Sequence, residues 1–220
     1  MRWKALRGCK ALIWTAVLLW AGPSFGLTGE EVLSRLQKRY KKLKSFSAEF
    51  RYTFQWKLAG EARQQVGKVF FLKPKQFRIE TPDRVVVCDG ETVWNYTPAT
   101  HQVVVTAYGD RSLSPTLRDI VSDYLEGYTP HYIRPDSVAG ERCYLLRLTP
   151  KDPEERLEVR LWVEEERWVV RKLSYADEVG NETAYLLKDV RVNTKLDESL
   201  FRFRIPEGVE VVDLRPKRSK

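Results

Sequence analysis

Between Phe46 and Leu58 the chain alternates without a break. Phe46, Ala48, Phe50, Tyr52, Phe54, Trp56 and Leu58 are apolar, while Ser47, Glu49, Arg51, Thr53, Gln55 and Lys57 between them are polar. A period of two sends successive side chains to opposite faces of an extended chain, so this segment is predicted to be a long antiparallel strand with one greasy and one wet face. Just before it the period changes. Thr28, with Glu31 three positions on, has the form of a capping box. Val32, Leu33, Leu36, Tyr40 and Leu43 then recur at helical spacing among Arg35, Lys38, Arg39, Lys41 and Lys42, the pattern of an amphipathic helix with a single apolar stripe.

Short strand-like runs follow at regular intervals: 64–73, 76–80, 84–88, 92–96 and 102–108. Asp89-Gly90 and Thr97-Pro98-Ala99-Thr100 supply turns between them. Ser114 with Pro115 opens a second predicted helix, with Leu117, Ile120, Val121, Tyr124 and Leu125 as its apolar side and Gly127 just past its end. Strands resume near 131–134, 143–148, 156–163, 168–176 and 182–192, and a turn at 197–200 leads to extended segments at 201–204 and 209–212. So many meandering strands imply a chain that is mainly β with some α, built on one large antiparallel sheet curled toward a barrel. The two helices must bury their stripes, most economically on the concave, aromatic face. Such an interior is either a packed core or a hydrophobic cavity. The pattern alone leaves both open, with the packed core as the default.

The ends of the chain differ from its body. Residues 1–10 are basic, 11–21 form an apolar run too short to span a bilayer as a helix, and Pro23 and Ser24-Phe25-Gly26 follow. Residues 1–26 therefore read as a signal peptide, with an uncleaved anchor as the alternative, and cleavage would leave Leu27 first in an exported chain. The expected organisation is one domain over 27–214 and a flexible basic tail over 215–220. Charge fits this division. The 220 residues carry 38 Lys and Arg against 30 Asp and Glu, a formal +8. Eight of the basic residues lie in the two end segments, where no acid occurs, so the body is neutral and no phosphate-tracking surface for nucleic acid is implied. The tail serves solubility, or touches an anionic membrane or a partner's acidic patch.

Candidate chemistry is thin. His101 and His131 are the only histidines, and no GxSxG, HExxH, Walker or GxGxxG pattern occurs. Neither metal-ligand spacing nor a cofactor motif is present, and no enzyme is expected. Cys9 precedes the apolar run and is misplaced for lipidation. Cys88 and Cys143 lie far apart in strand-like runs. An oxidising compartment would let them pair, but two packed thiols are the default. Glu164, Glu165 and Glu166 read as a charge run decorating a turn.

One ordered set of residues carries a resemblance. The run from Gly67 through Val69, Phe70, Phe71, Lys73-Pro74, Phe77-Arg78 and Pro82 continues through Asp89-Gly90, Val93-Trp94-Asn95-Tyr96 and Pro98. The chain closes on Asp197, Leu200-Phe201, Phe203, Pro206, Gly208-Val209 and Val211. This set resembles LolA-type outer-membrane lipoprotein carriers over essentially the whole mature chain. The resemblance implies an incomplete, strongly curved antiparallel β-barrel lidded by helices and enclosing a hydrophobic cavity. It also implies a soluble, monomeric periplasmic shuttle that takes lipoproteins by their acyl chains from an inner-membrane ABC transporter to an outer-membrane receptor. A lipid-binding or envelope-stress-sensing module of the same fold is the second reading. On this basis the acyl cavity is expected to be lined by Leu36, Tyr40, Leu43, Phe46, Phe50, Phe54, Val69, Phe71, Ile79 and Trp94, with Leu117, Ile120 and Val121 from the second helix. Lys73 stands where the family commonly has an arginine that holds the lid. It keeps the charge without the planar fork, or serves as an ordinary strand-end lysine. Phe77 matches a position tied to accepting cargo, or is a core aromatic.

Overall fold

The computed structural model describes residues 27–109, 124–152, 154 and 157–216. Both halves of the capping box form. The Glu31 backbone N–H donates to Thr28 Oγ1 at 3.2 Å and the Thr28 N–H donates to Glu31 Oε2 at 2.8 Å. Helix α1 runs over Gly29–Lys42, with acids in its first turn and Arg39, Lys41 and Lys42 in its last, as the helix dipole favours. The alternating segment becomes β1 (Ser45–Gln55). It is followed by β2 (Ala62–Leu72), β3 (Gln76–Thr81), β4 (Arg84–Cys88), β5 (Thr92–Thr97) and β6 (Gln102–Ala107). The second half supplies β7 (Tyr128–Val138), β8 (Glu141–Pro150), β9 (Val159–Glu164), β10 (Val170–Ala176), β11 (Glu182–Val192) and β12 (Glu210–Asp213).

All twelve strands join one sheet in the order β12-β6-β5-β4-β3-β2-β1-β11-β10-β9-β8-β7. Two meanders meet where β1 pairs with β11, and every neighbouring pair is antiparallel except β12 on β6. Among the described residues the fold is mostly β with one α-helix, and its sheet is strongly curled but not closed. The curl packs α1 and both halves of the sheet together. Val32, Leu33 and Leu36 of the helix, with Leu43 just past its end, share a buried cluster with Phe46 and Val69 from one half and with Leu146, Leu161, Val170 and Leu187 from the other. Gly29 lets the helix start close to β7, because a Cβ there would stand 2.5 Å from the Pro130 carbonyl oxygen.

Gly67 is the second place where the absence of a side chain decides geometry. It pairs with Phe50 across β1 and β2, and a Cβ there would meet the Phe50 ring at 2.5 Å and the Glu80 carbonyl as well. The missing side chain lets the Phe50 ring lie against β2 while β3 closes in from the other side. Gly67→Ala should therefore cost about 1–3 kcal/mol, read as a lower urea midpoint, and it should push the Phe50 ring toward the concave side.

The last part of the chain crosses the outer face of the sheet as a strap. From the end of β11 it passes a 3-10 turn (Glu198–Phe201), where Arg78 Nη1 donates to the Leu200 carbonyl at 3.1 Å. Phe203 then lies against Trp94 and Tyr96 with ring centroids 6.3 and 6.0 Å away. The strap ends as β12, and beyond it Arg215 pairs with Asp213 at 2.6 Å and reaches Thr92 Oγ1 at 3.5 Å. That arginine, expected to begin a loose tail, is tied down, and it helps hold the Asp213 carboxyl down to about 2. The segment 201–204, expected as a strand, lies flat on the sheet face, where no strand edge is available to pair with. It is held there by the buried ring of Phe201.

Other expectations shift. The strand near 131–134 extends over Tyr128–Val138 despite Pro130 and Pro135, which suits a strand at the edge of the sheet. The one predicted from 168 begins at Val170, because Trp168 sits in the hairpin turn with φ of 54°. Most of the second predicted helix, with Leu117, Ile120 and Val121, lies outside the described residues, as does the whole 1–26 segment. The described end of that helix, Tyr124–Gly127, is 3-10. Cys88 and Cys143 are both buried free thiols, and burial raises each to about 11, which leaves them unreactive near neutrality.

Candidate functional site

The concave face does not fill completely. Beyond the core under α1, the two halves of the sheet diverge around an open cavity of about 680 Å³. One wall comes from β1, whose even positions Phe50, Tyr52 and Phe54 face it together with Trp56 just past the strand, and Val69 and Ile79 lie beside them. The opposite wall is Leu161, Val170, Leu173, Tyr185 and Leu187, and Leu125 completes the lining. The rings of Tyr52 and Tyr185 meet across the β1–β11 junction at 5.2 Å, and Phe54 and Trp56 pack edge to face at 4.8 Å. Burial pushes the Tyr185 phenol up to about 12, so the wall stays neutral. The end away from α1 is polar. Arg63, Gln65, Thr81, Asp83, Arg84 and Thr97 ring it, and Asp83 accepts from Arg63 at 3.2 Å and from Gln65 at 2.8 Å. The result is a greasy slot closed at the α1 end and rimmed by charge at the other.

Four of the residues expected in the cavity line it: Phe50, Phe54, Val69 and Ile79. Leu36, Leu43 and Phe46 instead belong to the solid core at the closed end, where the helix seats itself. Phe71 bridges that core and a smaller cluster of Phe77, Cys88 and Val93. Phe77 thus packs at the closed end of the concave face, two positions along the strand from the cavity-lining Ile79. Trp94 lies on the other side of the sheet, because Val93 beside it points inward and the strap's Phe203 covers the outer face. The lining expected from the sequence omits Tyr52, Trp56, Leu125, Leu161, Val170, Leu173, Tyr185 and Leu187, and it omits the polar rim. Tyr52 and Trp56 lie in the same alternation as Phe50 and Phe54, and that signal identifies them. Among the described residues no group of His, Cys, Asp and Glu could hold a metal ion.

Three polar contacts and one aromatic stack fix α1 and the residues just past it over the closed end. The Lys73 ammonium donates to the Lys41 carbonyl in the helix's last turn, where the exposed carbonyls attract a cation, and the Lys73 backbone N–H donates to Lys44 O at 2.9 Å. On the other side, Tyr40 Oη accepts from the Val170 N–H at 3.2 Å, within the irregular start of β10. Burial holds that phenol far above its ordinary range. Arg35 stacks over Trp168 at 5.1 Å, and Trp168 stacks on Tyr144 at 5.5 Å. Tyr40→Phe would strand the Val170 N–H. The expected loss is about 1–2 kcal/mol, seen as a lower urea midpoint at unchanged slope.

The comparisons with known proteins agree with this architecture. The family profile described as "Outer membrane lipoprotein carrier protein LolA" matches residues 41–204. An outer-membrane lipoprotein carrier protein of Chromohalobacter salexigens is 31% identical over 182 residues, covering 81% of this chain and 85% of its own length. An uncharacterized protein of Methanocaldococcus jannaschii is 27% identical over 199 residues, and the match takes in 89% of this chain but 57% of that longer relative. Among solved structures, an uncharacterized conserved protein from Thermus thermophilus shares the fold with a TM-score of 0.56 at 15% identity, over 84% of this chain and 98% of that one. The chain belongs to the LolA family.

Proposed function

We propose that this protein is a non-catalytic periplasmic carrier that shields the acyl chains of lipoproteins on their way from the inner to the outer membrane. The observation that carries this reading is the open cavity of about 680 Å³ with its aromatic and aliphatic walls. It lies within the roughly 300–1,000 Å³ typical of ligand sites. A methylene is comparable in size to a water molecule, whose share of the liquid is ~30 Å³, so the cavity has room for on the order of twenty methylenes. Each methylene kept from water is worth about 0.8 kcal/mol, so one long chain represents on the order of 10 kcal/mol. The family's name supplies the cargo, and the unclosed sheet supplies the means of release. Because the barrel is open at β12 and β7, its halves can part without breaking any hydrogen-bonded ladder. Loading from a transporter and delivery to a receptor then set direction, since the chain carries no nucleotide-hydrolysis motif.

Native mass spectrometry of the protein purified from its own periplasm tests the reading, together with localisation of lipoproteins after its depletion. Co-purifying acylated lipoprotein, and lipoproteins retained at the inner membrane on depletion, are the expected results. A different bound lipid with lipoproteins correctly placed would replace this reading with that of a lipid-binding module of the same fold.

A further inference from the structure

The open end of the cavity has a lip whose composition nothing in the cavity itself requires. The β1–β2 connection and the β10–β11 connection lie side by side there. Lys57 N–H donates to Asn181 Oδ1 at 3.1 Å, and the Lys57 side chain runs over Gly180, where a Cβ would stand 2.7 Å from its Cδ. Both tips are well formed. Trp56 and Gly60 close the first through the Gly60 N–H to Trp56 O bond at 3.0 Å. Asp177 accepts from the backbone N–H groups of Val179 and Asn181 and from the Asn181 side chain in the second. Yet these two tips expose large apolar side chains to water: Leu58 at 91%, Val179 at 61% and Trp56 at 45%. Ordered turns normally present polar residues, and contiguous exposed apolar groups mark an interaction site. Trp56 also lines the cavity, so the exposed lip is continuous with the slot's interior wall.

We infer that the paired hairpin tips are a membrane-docking lip, seating Trp56, Leu58 and Val179 in the headgroup–acyl boundary of a bilayer so that the cavity opens onto lipid. The inference rests on the cavity holding acyl chains. A bilayer is the occupant because the lip is a small apolar prow around an indole, a ring suited to the boundary between headgroups and chains, and because it continues a wall that must exchange chains with some apolar phase. Charge does not drive the contact. Lys57, Arg63 and Arg84 are offset nearby by Glu61, Asp83, Asp177 and Glu178, and Arg63 is paired with Asp83 at 3.2 Å. Docking is therefore hydrophobic, indifferent to salt and to the anionic fraction of the membrane.

The experiment is flotation of the full mature chain with vesicles of phosphatidylcholine alone and with added phosphatidylglycerol, at low and high salt. Quenching of Trp56 by lipids brominated on the acyl chain, taken as the difference from Trp56→Phe, reports depth. Leu58→Asp with Val179→Asp should lower vesicle partitioning by about tenfold or more, while uptake of a fluorescent long-chain fatty acid and the melting temperature stay as in the parent. Lys57→Glu should leave partitioning unchanged. Binding that collapses in high salt, that needs phosphatidylglycerol, or that survives the double substitution would overturn the lip. So would flotation only with vesicles carrying membrane protein, which would assign the tips to a protein partner. The carrier reading fails separately: vesicles bound through the lip but no lipoprotein recovered would reject the cargo and keep the lip.

Discussion

Arg171→Met should lower the free energy of unfolding by about 3–5 kcal/mol. For a chain of this size that is a fall in melting temperature of roughly 6–20 °C. The Arg171 side chain is 7% exposed and lies 2.8 Å from the carboxylate of Glu164, itself 4% exposed, and 2.8 Å from Glu141 at the surface. Arg167 approaches the same Glu164 at 3.7 Å. Removing the guanidinium leaves a carboxylate out of water with only a distant cation, and that desolvated charge, more than the lost attraction, sets the cost. The double variant Glu164→Met with Arg171→Met should regain most of the loss, because two apolar chains of similar length need no partner. Calorimetry of the two variants decides the matter. Equal destabilisation in both would mean that the site depends on shape and not on charge.

Phe201→Ala should cost a similar amount, about 3–5 kcal/mol, but through a different route. Phe201 is fully buried and anchors the strap beneath which the outer face of β4–β6 hides Val87, Val103 and Val105. Without the ring, the segment from the 3-10 turn to β12 is left to Phe203, the Arg78 contact, a four-residue parallel pairing and the polar contacts of Glu210 with Gln102 and of Arg215 with Thr92. Hydrogen exchange should therefore speed up first in β12 and β6, while β7–β10 keep their protection. Uniform loss of protection across all strands would show that strap and sheet unfold as one unit.

Local chemistry is legible in the sequence, and long-range assembly is not. The capping box at Thr28 and Glu31, the two-residue period of β1 and the Asp89-Gly90 turn each depend on neighbours within a few positions, and each forms as read. In the turn, the Asp89 side chain accepts from the N–H groups of Glu91 and Thr92, both at 2.9 Å. Trp94, an aromatic in a strand, reads as an inside residue. It faces outward because a strap arriving from about a hundred residues later covers that side. Glu164 reads as turn decoration within a run of acids, but it is the last residue of β9, and its burial depends on Arg171 across the hairpin. Leu36, Leu43 and Phe46 read as cavity lining when they fill a core. The alternation that reveals a greasy face carries no mark of where helix packing stops and open space begins.

The junction of β1 with β11 has a consequence for how the molecule is made. Lys44 N–H, just ahead of β1, bonds Asn193 Oδ1, which lies 149 positions further along the chain, and the ladder beside it pairs Phe46 with Val192 and Gln55 with Glu182. Synthesis runs from the amino terminus, so the first strand to emerge is the most aromatic one, and its central neighbour is among the last. Until β11 appears, Phe46 to Trp56 can be covered by α1 and β2 only in part, and closure must wait for a contact of very long sequence separation, the kind that makes folding slow. A protein whose finished fold opens on a greasy cavity thus begins its own existence as a nascent chain with a greasy strand in need of cover.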